Sequence, residues 1–212
     1  MGIPVLILGE SGSGKSASLR NFEADEISVI NVANKPLPFR KKLPQLPTSD
    51  YLKIMDVIGK SSKKSFAIDD SQYLMAFEAF AKAKETGYGK FTDMALHFYN
   101  LVQFIIRGTA PDVIVYFLHH TEQDGMTGKI KAKTQGKMLD SQLTLEGLFS
   151  IVLMCSTDGK THSFVTQSDG MTPAKSPMEM FELVIDNDLK AVDNTIREYY
   201  GIERIKTNDT ET

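Results

Sequence analysis

The chain has one cysteine, Cys155, in 212 residues. A lone thiol cannot close an internal disulfide, which suits a reducing compartment, and the residue reads as a small core side chain. No apolar run approaches the roughly 20 residues that span a bilayer, so no membrane partner is expected. The N-terminal apolar run has no charged leader, and Leu6 stands where a myristoylation pattern needs Ser or Thr. These features together predict a cytoplasmic location. Charge of one sign is missing too, since 24 Lys and Arg against 27 Asp and Glu leave a net charge of -3. Any nucleic acid would therefore have to meet a local basic surface rather than a global field. Arginines number only five and are spread along the chain, which speaks against the arginine-bearing lid of nucleotide and sugar kinases. Repeats, heptads and low-complexity blocks are absent. With 42% hydrophobic and 24% charged residues, the composition is that of an ordinary globular protein. The length fits one domain over 1–204, followed by a polar, disordered tail over 205–212.

The most informative stretch is Gly9-Glu10-Ser11-Gly12-Ser13-Gly14-Lys15-Ser16, a complete match to the phosphate-cradling pattern G-x-x-x-x-G-K-[ST]. A short apolar strand over 3–8 precedes it, and a helix over 17–22, opened by Ala17, is expected after it. Glycines let the backbone turn tightly so that successive N–H groups point at phosphate oxygens, and a following helix adds its positive end. In this pattern Lys15 holds the β- and γ-phosphates and Ser16 a Mg²⁺ ion.

A second strand is expected over 27–32. Four of the eight prolines then fall in 35–47, which must be extended and cannot be helix or central strand. This excursion reads either as a partner-binding or nucleotide-flanking loop or as a rigid connector. Asp50 can cap a helix to about Ile58, with Leu52, Met55 and Ile58 inward. The apolar strand 65–68 ends in Asp69-Asp70, and a carboxylate there is placed to order the water shell of the Mg²⁺ that Ser16 touches. Helices follow to Arg107. The strand 113–118 ends in His119-His120-Thr121-Glu122, where one polar group can sense the γ-phosphate or orient the attacking water. The segment 123–139, with Lys129, Lys131, Lys133 and Lys137 among glycines, reads as a mobile loop able to track a phosphate backbone. A hairpin over 149–155 and 162–166 turns at Asp158-Gly159. Ser176-Pro177-Met178-Glu179 has the form of a capping box and predicts a helix start. The last helix carries Leu189, Val192, Ile196 and Tyr199 on one face and stops at Gly201.

Sequential βα units with apolar strands predict an α/β fold with a mostly parallel sheet flanked by helices. The strand 113–118 fits the one that RecA-like and AAA ATPases insert between the phosphate-loop strand and the acidic strand. Guanine recognition by Asn-Lys-x-Asp is not supported, because Leu37 follows Asn34-Lys35-Pro36. With Ile68-Asp69-Asp70-Ser71, His119-His120-Thr121-Glu122 and Lys175-Ser176-Pro177 added to the phosphate loop, most of residues 1–185 resembles the phage-encoded AAA-type ATP-binding proteins. That group includes core-only RecA relatives that act as single-strand-annealing recombination ATPases.

The resemblance implies a RecA-like P-loop core with a C-terminal β-hairpin and helices, ATP and Mg²⁺ as cofactors, and a homo-oligomeric ring or filament. It also implies single-stranded DNA and a recombination or replication protein as partners. By position it makes Lys15 and Ser16 phosphate and metal ligands, gives Asp69 the metal shell, and puts His119 or His120 at the sensor position. It places DNA-binding loops after the acidic and sensor strands, with Lys82, Lys84, Tyr88, Lys90 and Phe91 in the first and Lys129, Lys131, Lys133 and Lys137 in the second. Lys175 becomes a charge supplied across a subunit junction. The family's catalytic base is usually a Glu, whereas here Asp70 follows Asp69, Glu122 lies farther on, and Glu10 sits inside the loop. Slow or DNA-stimulated ATP hydrolysis is thus expected. The alternatives are a P-loop switch or assembly ATPase acting on a protein through 35–47, and a small-molecule kinase.

Overall fold

The computed structural model describes residues 1–87, 89–135 and 144–202. Its strands are β1 (Ile3–Gly9), β2 (Ile27–Asn31), β3 (Gln45–Leu46), β4 (Ser65–Asp69), β5 (Ile114–Gln123), β6 (Ile130–Ala132), β7 (Ile151–Thr157), β8 (His162–Val165) and β9 (Val184–Asp186). Its α-helices are α1 (Tyr51–Lys60), α2 (Gln72–Ala81), α3 (Gly89–Gly108) and α4 (Leu189–Tyr200). One sheet runs in the order β3-β2-β4-β5-β1-β7-β8-β9, with β6 paired to β5. From β3 to β7 all neighbours are parallel, whereas β8 and β9 add antiparallel edge strands. The expected insertion is realised, because β5 pairs with β1 on one side and β4 on the other.

Strand alternation sorts the core into two layers. Leu6, Leu8, Ile68 and Phe117 face α1, α2 and α3, while Val5, Ile7, Ala67 and Leu118 face α4 and the segment after the glycine-rich loop. Burial on both faces explains why the central strands read as continuous apolar runs. α3 ends where Thr109 packs against Gly2 at the start of β1. Its first turns, and the 82–87 connection before them, therefore lie toward the C-terminal end of the sheet.

Several local expectations change. After the glycine-rich loop the chain forms a six-residue 3-10 helix, Ser16–Asn21. The Ser18 hydroxyl takes the Lys15 carbonyl, the Ser18 N–H is shared between Gly14 and Lys15 carbonyls, and Phe22 turns extended to enter the core. That geometry leaves little helix dipole at the loop. The 176–179 capping box starts no helix; Glu179 has φ +61°, which stops propagation after one turn, and the chain instead supplies β9. Asp50 does cap α1, accepting from the N–H groups of Leu52 and Lys53, but Leu52 faces outward and Ile54 and Ile58 are inside. On α4, Tyr199 is exposed and Asp193 and Arg197 join the buried face. In the described part of the 123–139 segment, β5 continues to Gln123 and β6 pairs back on it, so it is not simply a mobile loop. Tyr88, Lys137 and the 205–212 tail lie outside the described residues. Among the described residues no helix is long and apolar enough to cross a membrane.

Candidate functional site

The C-terminal ends of β1, β4 and β5 open onto a cleft of about 460 Å³. It is lined by residues 11, 12 and 14–17 of the glycine-rich loop and its exit, by Asp69 and Asp70, by His120, and from more distant parts of the sequence by Lys35, Pro36, Pro38 and His162. Close packing explains the glycines. A Cβ on Gly9 would lie 2.3 Å from Ser13 Oγ and 2.9 Å from Cys155 Cβ, and Gly12 and Gly14 have φ of +79° and +99°.

Lys15 lies back along the loop, its ammonium donating to the carbonyls of Gly9 (2.8 Å) and Glu10 (2.7 Å). Burial lowers its pKa, opposed by its ionisable neighbours Cys155, Asp70 and Asp69. Ser16 Oγ donates to Asp69 Oδ1 at 2.7 Å, so residues 53 positions apart meet at the C-terminal ends of strands that flank β5. Burial raises the pKa of Asp69, with the charge of Asp70 adding and the Ser16 and Lys15 contacts opposing. A hydroxyl and a carboxylate are hard oxygen donors and suit Mg²⁺. Among the described residues no group of three or more His, Cys, Asp or Glu is placed to hold a metal, so an ion here would take its other ligands from phosphate and water.

Asp70 sits at φ +59°, a left-handed position that Asp tolerates better than most residues. That turn directs its carboxylate to His120 Nε2 (3.2 Å) and Lys35 Nζ (2.7 Å). Burial alone would raise its pKa, but the His120 and Lys35 hydrogen bonds hold it at about 2. Lys35 also lies over the Tyr73 ring, 4.9 Å from its centroid, and its backbone N–H and carbonyl are tied to Asn31. The proline-rich segment thus forms a wall of the cleft. A carboxylate with a depressed folded pKa contributes stability above its unfolded pKa and loses it as pH falls toward 2. Lys35→Ala should therefore raise the Asp70 pKa toward the ordinary carboxylate range, read by NMR titration of the carboxyl carbon. It should cost no more than about 1 kcal/mol near neutrality, because Lys35 is 59% exposed, and that difference should vanish as pH falls from about 4 to 2. An unmoved Asp70 titration would show that the pair does not form.

The two adjacent histidines part company, as side chains on successive strand positions must. His120 reaches the cleft, while His119 is fully buried away from it. His119 Nε2 meets the Lys133 carbonyl (2.7 Å) and must carry the proton, so Nδ1 accepts from the Ser71 hydroxyl (2.8 Å). Burial lowers its pKa to about 4, leaving it neutral. His119 is therefore an anchor for the chain after β5. Glu122 pairs with Lys131 across the β5–β6 ladder (3.0 Å) and lies outside the cleft, as does the exposed Glu10.

The lysines expected to contact DNA divide similarly. Lys82 is paired with Glu78 (3.0 Å) and Asp93 (3.7 Å), and Lys90 donates to the carbonyls of Glu85 and Lys82. Phe91 packs against the core. Lys84, Lys129 and Lys133 are exposed. Lys175 forms an isolated antiparallel bridge with Val152, level with Leu6 and below the loop. Two cleft residues escaped sequence reasoning. Lys35 was visible only as part of a proline-rich segment, and His162 only as the start of a strand.

The fold and cleft define an α/β protein with a mostly parallel mixed sheet, compatible with a Rossmann-like core. No protein-family model matches the chain, and no curated protein matches it.

Proposed function

We propose that this chain is a RecA-like P-loop ATPase that binds ATP and Mg²⁺ in the cleft, assembles as a homo-oligomer, and binds single-stranded DNA in phage-type recombination or replication. The observation that carries the reading is the 2.7 Å contact between Ser16 Oγ and Asp69 Oδ1, formed beside a buried Lys15. In that reading Ser16 and Asp69 would hold the metal, which would supply positive charge to the phosphate oxygens. Lys15 exchanges the carbonyls of Gly9 and Glu10 for phosphate oxygens, so its charge is met before and after binding. Asp70 and His120 stand at the sheet edge where an attacking water is to be oriented. Asp70 can take a proton only after its contacts with Lys35 and His120 loosen, which accords with slow or stimulated hydrolysis.

The DNA part rests on Lys84, Lys129 and Lys133, exposed toward the cleft end of the sheet. If they neutralise about three phosphates, log K should fall with log salt at a slope near -2, from ~0.7 per single-strand phosphate. Single-stranded DNA should stimulate turnover, and a salt-insensitive complex or unstimulated turnover would overturn this part. The second reading, a switch or assembly ATPase acting on a protein, draws on Lys35, Pro36 and Pro38, which put the proline-rich segment between the cleft and the surface. It is favoured if DNA leaves turnover unchanged and changes at Pro36 and Pro38 abolish capture of the partner protein.

A further inference from the structure

β7 and β8 form a hairpin whose turn is held tightly. Asp158 accepts from the N–H groups of Lys160 (2.8 Å) and Thr161 (2.7 Å) and from the Thr161 hydroxyl (2.9 Å), while Thr157 Oγ1 donates to the Thr161 carbonyl. Because β7 lies beside β1, with Cys155 against Gly9, this hairpin stands next to the glycine-rich loop. His162, the first residue of β8, is held at its inner edge. Its Nδ1 lies 3.0 Å from the Ser13 carbonyl oxygen. A carbonyl only accepts, so Nδ1 carries a proton in this contact whether the ring is neutral or charged. The ring also presses on Gly14, where a Cβ would come within 2.9 Å of Cγ and Nδ1.

The geometry points to His162 as a positioning residue that locks the Ser13–Gly14 peptide plane in its phosphate-binding orientation, an inference that rests on the phosphate-binding reading of the cleft. A trans peptide carries its C=O and N–H on opposite sides. Fixing the Ser13 carbonyl toward His162 therefore turns the Gly14 N–H away from that ring nitrogen, at a residue that itself lines the cleft. Gly14, at φ +99°, has the freedom to let this peptide rotate, and the short 3-10 helix that follows lends the loop little dipole. Orientation of individual N–H groups then decides how well the loop meets an anion.

Asn and Gln separate this role from packing. The Asn amide nitrogen can occupy the place of Nδ1, whereas the Gln amide extends to the place of Nε2. In the full-length protein with Mg²⁺ and a fluorescent ADP analogue, His162→Asn should bind within about twofold of wild type. His162→Gln and His162→Ala should bind about three- to tenfold more weakly, the range of one hydrogen bond, with melting temperatures alike. The Gly14 amide resonance of the nucleotide-free protein should stay in place in His162→Asn and move in His162→Gln. If Asn and Gln behave alike, or all variants match wild type in affinity and in the Gly14 resonance, the lock does not exist. If Lys15→Ala binds the analogue as wild type does, the phosphate-binding reading falls and the inference with it. If Lys15→Ala loses binding and the His162 variants do not, only the inference falls.

Discussion

Lys15→Ala is expected to lower ATP turnover on the order of 10²- to 10³-fold, the usual effect of removing one preorganised charge or donor from developing phosphoryl charge. Lys15 is 6% exposed, and burial lowers its pKa, so holding its charge there is costly unless an anion is to be met. Its present acceptors are two uncharged loop carbonyls, so losing the side chain breaks no direct ion pair. Stability should therefore change little while turnover collapses, and the two measurements together separate a phosphate ligand from a structural lysine. Phosphate release at saturating Mg–ATP, set beside a urea melt, makes the comparison. Full turnover in a folded Lys15→Ala protein would overturn the assignment of the loop, and a large loss of stability would recast Lys15 as a brace for the loop.

What the sequence revealed and what it hid follow from the range of the interactions. The glycine-rich loop, the apolar strands and the Asp50 cap are written in neighbouring residues, so pattern and spacing locate them. The strand β5 was legible because long apolar runs mark strands buried on both faces, whereas its place between β1 and β4 was expected only from the likeness to RecA-like and AAA ATPases. The capping box at 176–179 misled because its pattern is local, while the left-handed Glu179 and the pairing of β9 with β8 are set by the sheet edge. Lys35 and His162 could not be found by spacing. One reaches the cleft from an excursion 35 positions before Asp70, and the other from a hairpin 149 positions after Ser13. His119 and His120 show the intermediate case. Strand alternation separates them, but which one faces the cleft depends on Ser71 and Lys133, whose positions only the fold determines.

Arg197→Met is expected to destabilise the fold by about 3–5 kcal/mol, as removal of one partner of a buried ion pair does. Asp193 is fully buried and Arg197 is 5% exposed, one helical turn apart on α4, with Arg197 Nε donating to Asp193 Oδ2 at 2.7 Å. Around them Ser65 Oγ (2.7 Å) and Tyr116 Oη (3.0 Å) donate to Asp193 Oδ1, while the guanidinium reaches the carbonyls of Asp112 and Lys64 and the Ser65 hydroxyl. The group thereby ties α4 to the starts of β4 and β5, at the end of the sheet opposite the cleft. Met fills much of the volume of Arg but takes the guanidinium charge away from the buried Asp193 carboxylate. Against a total stability of about 5–15 kcal/mol, that loss should be plain in a urea midpoint. Asp193→Leu combined with Arg197→Met removes both charges and should recover much of it, since apolar replacements of buried pairs are often neutral or better. Recovery is expected to be incomplete, because Ser65 and Tyr116 would keep buried hydroxyls without their present acceptor. A single Arg197→Met loss below about 1 kcal/mol would mean that water reaches the group and that α4 is held by Leu189, Val192 and Ile196 alone.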